Sequence, residues 1–200
     1  MEQCIGAYYV LALAEASSNL SRFDGMRYGL TVPDEPTLLD TISKARSLGL
    51  GDEVQKRILL GTYAVTTEAW DSYYVAALAV RYALIQELAQ HWLQKDLRTS
   101  LGGQKGGVDV LVHPTALQGA PRLGEGTASE YAQDALTTYG NLAGIPVLSA
   151  PAAAKLDDGN GVALPVGISF AAQWGHDDLL LHVVDQLQSH SSVLAKGSGF

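Results

Sequence analysis

The chain has 200 residues, 47% of them hydrophobic and 17% charged, which is enough for one domain with a proper core and far from a disordered composition. A formal net charge of −8, with no basic run, excludes direct binding to a nucleic-acid backbone, which needs clustered Lys and Arg. A single cysteine, Cys4, excludes an internal disulfide framework and a multi-thiolate metal site.

The first element is a helix over residues 5–20, with Tyr8, Leu11, Ala12 and Glu15 on one side and Cys4 as a small buried hydrophobe near its start. Its apolar run, Cys4 to Ala14, stops at Glu15, well short of the roughly 20 residues a bilayer requires, so no membrane insertion is expected. The chain enters this helix directly after "MEQC", without a cationic leader, which reads as a processed chain or a piece of a larger fold. Asp24-Gly25 is a strong turn pair, and Pro33 and Pro36 mark a loop before a short helix at 37–48, stopped by Gly49 to Gly51.

"GDEVQKRILLGTYAVT" opens with two acids, as the positive end of a helix dipole favours. Val54, Arg57, Ile58 and Gly61 then share a face, and an arginine on an apolar face needs a partner there. Residues 70–94 form the longest periodic segment, with Leu78, Tyr82, Ile85, Ala89 and Trp92 at helical spacing. "TSLGGQKGG" ends it as a flexible loop. "VDVLVHPT" reads as a buried strand stopped by Pro114. A helix over roughly 128–139 places Tyr131, Asp134, Ala135 and Thr138 on one face. "IPVLSAPA" and "LPVGISFAA" are two further strands, and "HDDLLLHVVDQLQ" is a closing amphipathic helix with Asp177 and Asp178 in its first turn. Long helices between short apolar strands mean an α/β architecture. Three strands make a small sheet for so many helices, so strands from elsewhere are expected to complete it.

Motifs that would carry chemistry are missing. "GGQKGG" lacks the GK[ST] of a phosphate-binding loop, and neither G-x-S-x-G nor a strand-linked G-x-G-x-x-G occurs. The five histidines, His91, His113, His176, His182 and His190, have no metal-helix spacing and read as structural or solvent-facing. No metal or other cofactor is expected. Ser17-Ser18, in "EASSN", lie in the last turn of a helix, where the dipole is negative and unsuited to an oxyanion, so they read as packing residues bonded to nearby backbone.

"YYVLALAEASSNLSRFDGMRYG", "GLGDEVQKRILLGTYAVT", "DSYYVAALAVR", "DVLVHPTA", "RLGE", "EYAQDALTTYGNLAGIPVLSAP" and "LPVGISF" together resemble the amidase signature family, in the family's own order and over roughly residues 5–188. The likeness is to the branch that hydrolyses glutamine and passes the ammonia on. It implies the C-terminal part of an α/β/α sandwich with a mixed, partner-completed sheet, arranged as a single partial domain over residues 1–190 with a flexible tail at 191–200.

The family's catalytic lysine, cis-serine and nucleophilic serine lie upstream of the matched region, so no catalytic residue is assigned here and the chain is expected to be inactive alone. The resemblance carries three substrate-binding positions onto Tyr8 (the first of "YY"), Arg57 (before "I-x-L-G-T") and Asp134 (in "Y-x-x-D"). The expected ligand is glutamine, with Arg57 on the α-carboxylate and Asp134 on the α-ammonium; otherwise the two charges pair as a structural bridge. The sequence departs from the family at Tyr139-Gly140, where a proline is common, at "APAAA" in place of "V-P-C-G", and at Leu117 after "HPTA". This leaves two readings. One is an amidotransferase part completed by a protein partner. The other is a non-catalytic, amidase-like accessory subunit of a larger complex. A mitochondrial or other organelle matrix, or else the cytoplasm, is the expected compartment, by analogy with the family.

Overall fold

A computed structural model describes residues 2–33, 35–121, 134–157 and 159–195. The chain divides into two compact units, Gly6–Ala79 and a second made of residues 1–5 with Val80–Phe200.

The first unit is helical. Helix α1, Glu2–Asn19, begins outside it and runs into it, followed by a 3-10 turn at Leu20–Arg22. Asp24-Gly25 makes the expected turn: Asp24 Oδ1 accepts the Met26 and Arg27 N–H groups, and Gly25 takes φ +82°, where a Cβ would stand 2.6 Å from that of Ala45. Helix α2, Leu38–Gly49, starts at an N-cap Thr37 whose Oγ1 accepts the Asp40 N–H. Arg46 near its end donates to the Leu20 and Phe23 carbonyls, tying α2 to the end of α1. Helix α3, Asp52–Ala64, carries Asp52 and Glu53 in its first turn as expected. It crosses α1 at Gly61, where an added Cβ would stand 1.9 Å from the Leu13 carbonyl oxygen. Only glycine allows that backbone-to-backbone approach.

Residues 70–94 are not one helix. Trp70–Val75 is a wider π-helical turn, and α4 occupies Ala76–Ala89, ending before Trp92. Leu78 and Tyr82, expected on the buried stripe, face outward, while Ala77, Leu84, Leu88 and Ala89 turn inward. Because α4 is apolar on nearly every side, spacing alone does not single out a face.

The second unit is built on a three-stranded antiparallel sheet in the order β1-β3-β2: β1 at Leu111–Pro114, β2 at Val147–Asp157, β3 at Ala163–Ala171. His113, Ser169 and Ser149 lie opposite one another across the three strands. Helix α6, Asp177–His190, covers one face, with Leu180 and Val184 packed on Ala150, Phe170 and Ala172. Trp92, fully buried, covers the other face together with Tyr139 and Ala171, and Leu84, Leu88, Leu111 and Ile145 pack around them. The short helix α5, Thr138–Ala143, supplies Tyr139 and ends at Gly144 in the left-handed region.

The glycine-rich stretch expected to be a flexible loop instead folds back along residues 92–96. Gly103 N–H donates to Gln94 O, Gln104 N–H to Trp92 O, and Val108 bridges Trp92. Its turn is capped by the buried Asp96, which accepts the Arg98 and Thr99 N–H groups, while the Arg98 guanidinium lies 4.0 Å over the Trp174 ring. Of the helix expected at 128–139, residues 128–133, including Tyr131, lie outside the described residues. The remainder is a 3-10 turn, Asp134–Leu136, and then α5.

The sheet is less covered than two-sided apolar strands imply. Thr115 N–H donates to Gly167 O, so Val112 of β1 directs its N–H and C=O away from β3. Among the described residues no strand pairs with β1 on that side. The outer edge of β2 is closed in part by the segment at 193–195, through Ala153 N–H to Val193 O and Ala195 N–H to Pro151 O.

Candidate functional site

The three carried-over positions fall in different units. Tyr8 on α1 and Arg57 on α3 belong to the helical unit, on the two helices that cross at Gly61. Asp134 belongs to the sheet unit. Tyr8 is half-buried and sits edge-to-face with Tyr9, ring centroids 5.4 Å apart. Arg57, expected on a core-directed face, is exposed, and its Nε lies 3.0 Å from Glu53 Oε1, one helical turn back. The long side chain of arginine reaches past the apolar face its Cα lies on, so spacing overstates its burial. Asp134 opens the 3-10 turn, and its carbonyl accepts both the N–H and the Oγ1 hydrogen of Thr137.

Ser17 Oγ donates to the Ala14 carbonyl, the local backbone bond the sequence implies, while Ser18 contributes its backbone carbonyl as the acceptor for Ser21 Oγ.

A polar cluster that sequence reading passed over lies on the sheet face that Trp92 and Tyr139 share. Thr115 Oγ1 is 2.6 Å from Ser149 Oγ and 2.8 Å from Ser169 Oγ. Gly167 makes room for it, since a Cβ there would stand 2.6 Å from Thr115 Oγ1 and 2.9 Å from Ser149 Oγ. Beside it His113 Nδ1 lies 2.7 Å from the Pro114 carbonyl oxygen, and Nε2 lies 2.7 Å from the Tyr139 hydroxyl. A carbonyl only accepts, so the network assigns the proton of the neutral ring to Nδ1, and Nε2 accepts from Tyr139. Burial pushes the Tyr139 phenol up to about 12, so its hydroxyl keeps its proton to serve as that donor. His113, taken from the sequence as merely structural or solvent-facing, is a specific hydrogen-bond partner. The available signal was period two: His113 and Thr115 alternate with Val112 and Pro114 on a strand of otherwise apolar residues.

A largely apolar groove of about 930 Å³ opens beside the end of β1, lined by His113, Thr115, Leu117, Leu156, Pro165 and Ile168 among others. Val112, which lines it too, is 58% exposed. Among the described residues no group of three or more His, Cys, Asp or Glu side chains could hold a metal ion, and no helix is long and apolar enough to cross a membrane.

This mixed α/β architecture is that of the amidases. Solved structures share the fold: a chain of a vestigial protein complex bearing on the origins of an s-triazine catabolic enzyme has TM-score 0.61 and 19% identity, covering 98% of this chain and 35% of its own length. A 6-aminohexanoate cyclic dimer hydrolase has TM-score 0.55 and 19% identity, covering 93% of this chain and 34% of its own.

The Amidase family profile matches residues 1–181, and the chain belongs to that family. It is similar to the A subunit of the mitochondrial glutamyl-tRNA(Gln) amidotransferase of Mycosarcoma maydis, with 43% identity over 196 residues that cover 92% of this chain and 35% of the relative. It is 39% identical to the A subunit of the glutamyl-tRNA(Gln) amidotransferase of Deinococcus deserti, covering 96% of this chain and 37% of that protein. The chain thus spans about a third of the length of these curated relatives and corresponds to their C-terminal part.

Proposed function

We propose that the chain is the C-terminal part of a glutamyl-tRNA(Gln) amidotransferase A-type subunit, working only together with the N-terminal part of the amidase fold. That part brings the family's lysine and two serines. This chain brings Tyr8, Arg57 and Asp134 to orient glutamine, Arg57 on its α-carboxylate and Asp134 on its α-ammonium. Water and glutamine give glutamate and ammonia, and the ammonia serves amidation of Glu-tRNA(Gln) held by other subunits. With a net charge of −8 this chain takes no part in gripping the RNA. The observation that carries the proposal is the 43% identity, sustained across almost the whole chain, to a relative of that name. The edge of β1, unpaired among the described residues, the groove beside it and the exposed Leu59, Leu60 and Tyr63 on α3 support a protein partner, because apolar surface of this kind marks an interface. The mitochondrial relative favours an organelle matrix as the compartment.

The test is ammonia release from glutamine by the chain alone and by the chain mixed with the N-terminal two-thirds of an A-type amidotransferase polypeptide. Release only from the mixture is expected; release from this chain alone would overturn the proposal. A second reading, a non-catalytic accessory subunit of a larger complex, is favoured by the departures at Tyr139-Gly140 and "APAAA" and by the engagement of Arg57 with Glu53. It predicts a stable complex with the partner and no ammonia release.

A further inference from the structure

We propose that His113 and Tyr139 form a positioning pair that fixes the Asp134-bearing turn against the edge strand β1. The inference rests on the reading of Asp134 as the ammonium-binding carboxylate.

The physical case is a short chain of rigid links. Asp134 begins a single 3-10 turn, closed by Thr137 N–H to Asp134 O at 3.0 Å, and helix α5 starts at the next residue. Tyr139, the second residue of α5, has its ring buried beside Trp92 and Ala171. Its hydroxyl would be an unsatisfied buried group without a partner, and His113 Nε2 meets it at 2.7 Å. The imidazole is itself fixed, by Nδ1 at 2.7 Å from Pro114 O and by edge-to-face packing on the Tyr139 ring at 5.3 Å. His113 stands opposite Ser169 in the β1–β3 register, so the anchor is the sheet.

Nothing between Tyr139 and Asp134 is long enough to absorb a shift of the helix. A displacement of Tyr139 therefore passes to the Asp134 carboxylate. Neither His113 nor Tyr139 is placed in contact with substrate, so the pair acts through Asp134. Removing the bond should weaken glutamine binding and spare the chemical step.

The experiment is steady-state glutamine hydrolysis by the chain assembled with its N-terminal partner. Asp134→Asn tests the underlying reading: a raised KM is expected, and an unchanged KM would overturn both that reading and this inference. Tyr139→Phe keeps the ring and loses only the hydrogen bond, with KM expected to rise about two- to tenfold, the weight of one neutral hydrogen bond, and kcat to stay within about twofold. His113→Ala should match it, and His113→Gln, which restores an acceptor, should recover most of the loss. In the Asp134→Asn background, Tyr139→Phe should add little, since the group it positions is gone. If Asp134→Asn raises KM while Tyr139→Phe leaves KM unchanged, the positioning role is refuted although the reading of Asp134 stands. If Tyr139→Phe lowers kcat and the folded fraction together, with no recovery in His113→Gln, the pair is only structural and the inference fails.

Discussion

Gly61→Ala is the substitution for which the structure gives the sharpest magnitude. An added Cβ would stand 1.9 Å from the Leu13 carbonyl oxygen and 2.4 Å from its carbon, where ordinary contact begins near 3.4 Å, so α1 and α3 must separate by about 1.5 Å (3.4 − 1.9) at their crossing. Overpacking of this kind costs about 1–3 kcal/mol, and because the obstacle is backbone that no rotamer change moves, the upper end applies. The gain in helix propensity from glycine to alanine, about 1 kcal/mol, leaves a net loss of about 2 kcal/mol. For a chain of this size that is a fall in Tm of about 4–8 °C by circular dichroism. Gly6→Ala is the internal control: Gly6 is also in α1 but has nothing within 4 Å of its would-be Cβ, so the same chemical change should raise Tm by about 2–4 °C. Should Gly61→Ala melt at or above the parent, the close crossing that places Tyr8 and Arg57 on adjoining helices would be wrong.

Three further outcomes are expected. Burial opposes ionisation of Asp96, but the backbone N–H groups of Thr99 and Arg98 and the Arg98 guanidinium outweigh it and hold its carboxyl below the usual range. A depressed folded-state pKa contributes stability above the unfolded value of about 4, lost as pH falls through the lowered one; Asp96→Asn should therefore flatten the decline of urea midpoints measured from pH 6 to 3, and equal slopes would refute it. Gly167→Ala forces a methyl into the hydroxyl cluster and should lower the urea midpoint, with Thr115→Ala in the same chain recovering part of the loss; independent, additive effects would mean the crowding is not there. Arg57→Ala removes an exposed i,i+4 pair with Glu53, so stability should change by no more than about 0.5 kcal/mol, and a larger loss on denaturation would assign Arg57 a structural role.

Much of the fold was legible because local signals and global packing agree. The N-terminal acids of α3 and α6, the turn at Asp24-Gly25 and the three strand segments all stand where their chemistry puts them. The misreadings have separate physical causes. Along residues 70–94 hydrophobicity is nearly uniform around the helix, so period 3.6 could neither choose the buried face nor reveal that Trp92 lies beyond the end of α4. The glycines at 102, 103, 106 and 107 suggest looseness, yet two of them permit close backbone approach: a Cβ at Gly102 would stand 2.5 Å from the Gln94 carbonyl oxygen, and one at Gly107 2.6 Å from the Leu93 nitrogen. The antiparallel register and the open edge of β1 depend on which strands meet, which no short window records. In the candidate site, Tyr8, Arg57 and Asp134 came from resemblance, whereas the His113–Tyr139 bond joins residues 26 apart in sequence and only the tertiary structure brings them together.

The role proposed for this chain is to orient glutamine for chemistry performed by the N-terminal part of the fold. It is tested most directly by comparing kcat/KM for glutamine with that for 4-aminobutanamide, the analogue lacking the α-carboxylate, in the assembled enzyme with and without Arg57→Ala. The parent is expected to prefer glutamine by about 10- to 150-fold, the weight of a charged hydrogen-bonded contact, and Arg57→Ala to abolish the preference by losing activity on glutamine alone. A preference that survives Arg57→Ala intact would contradict it.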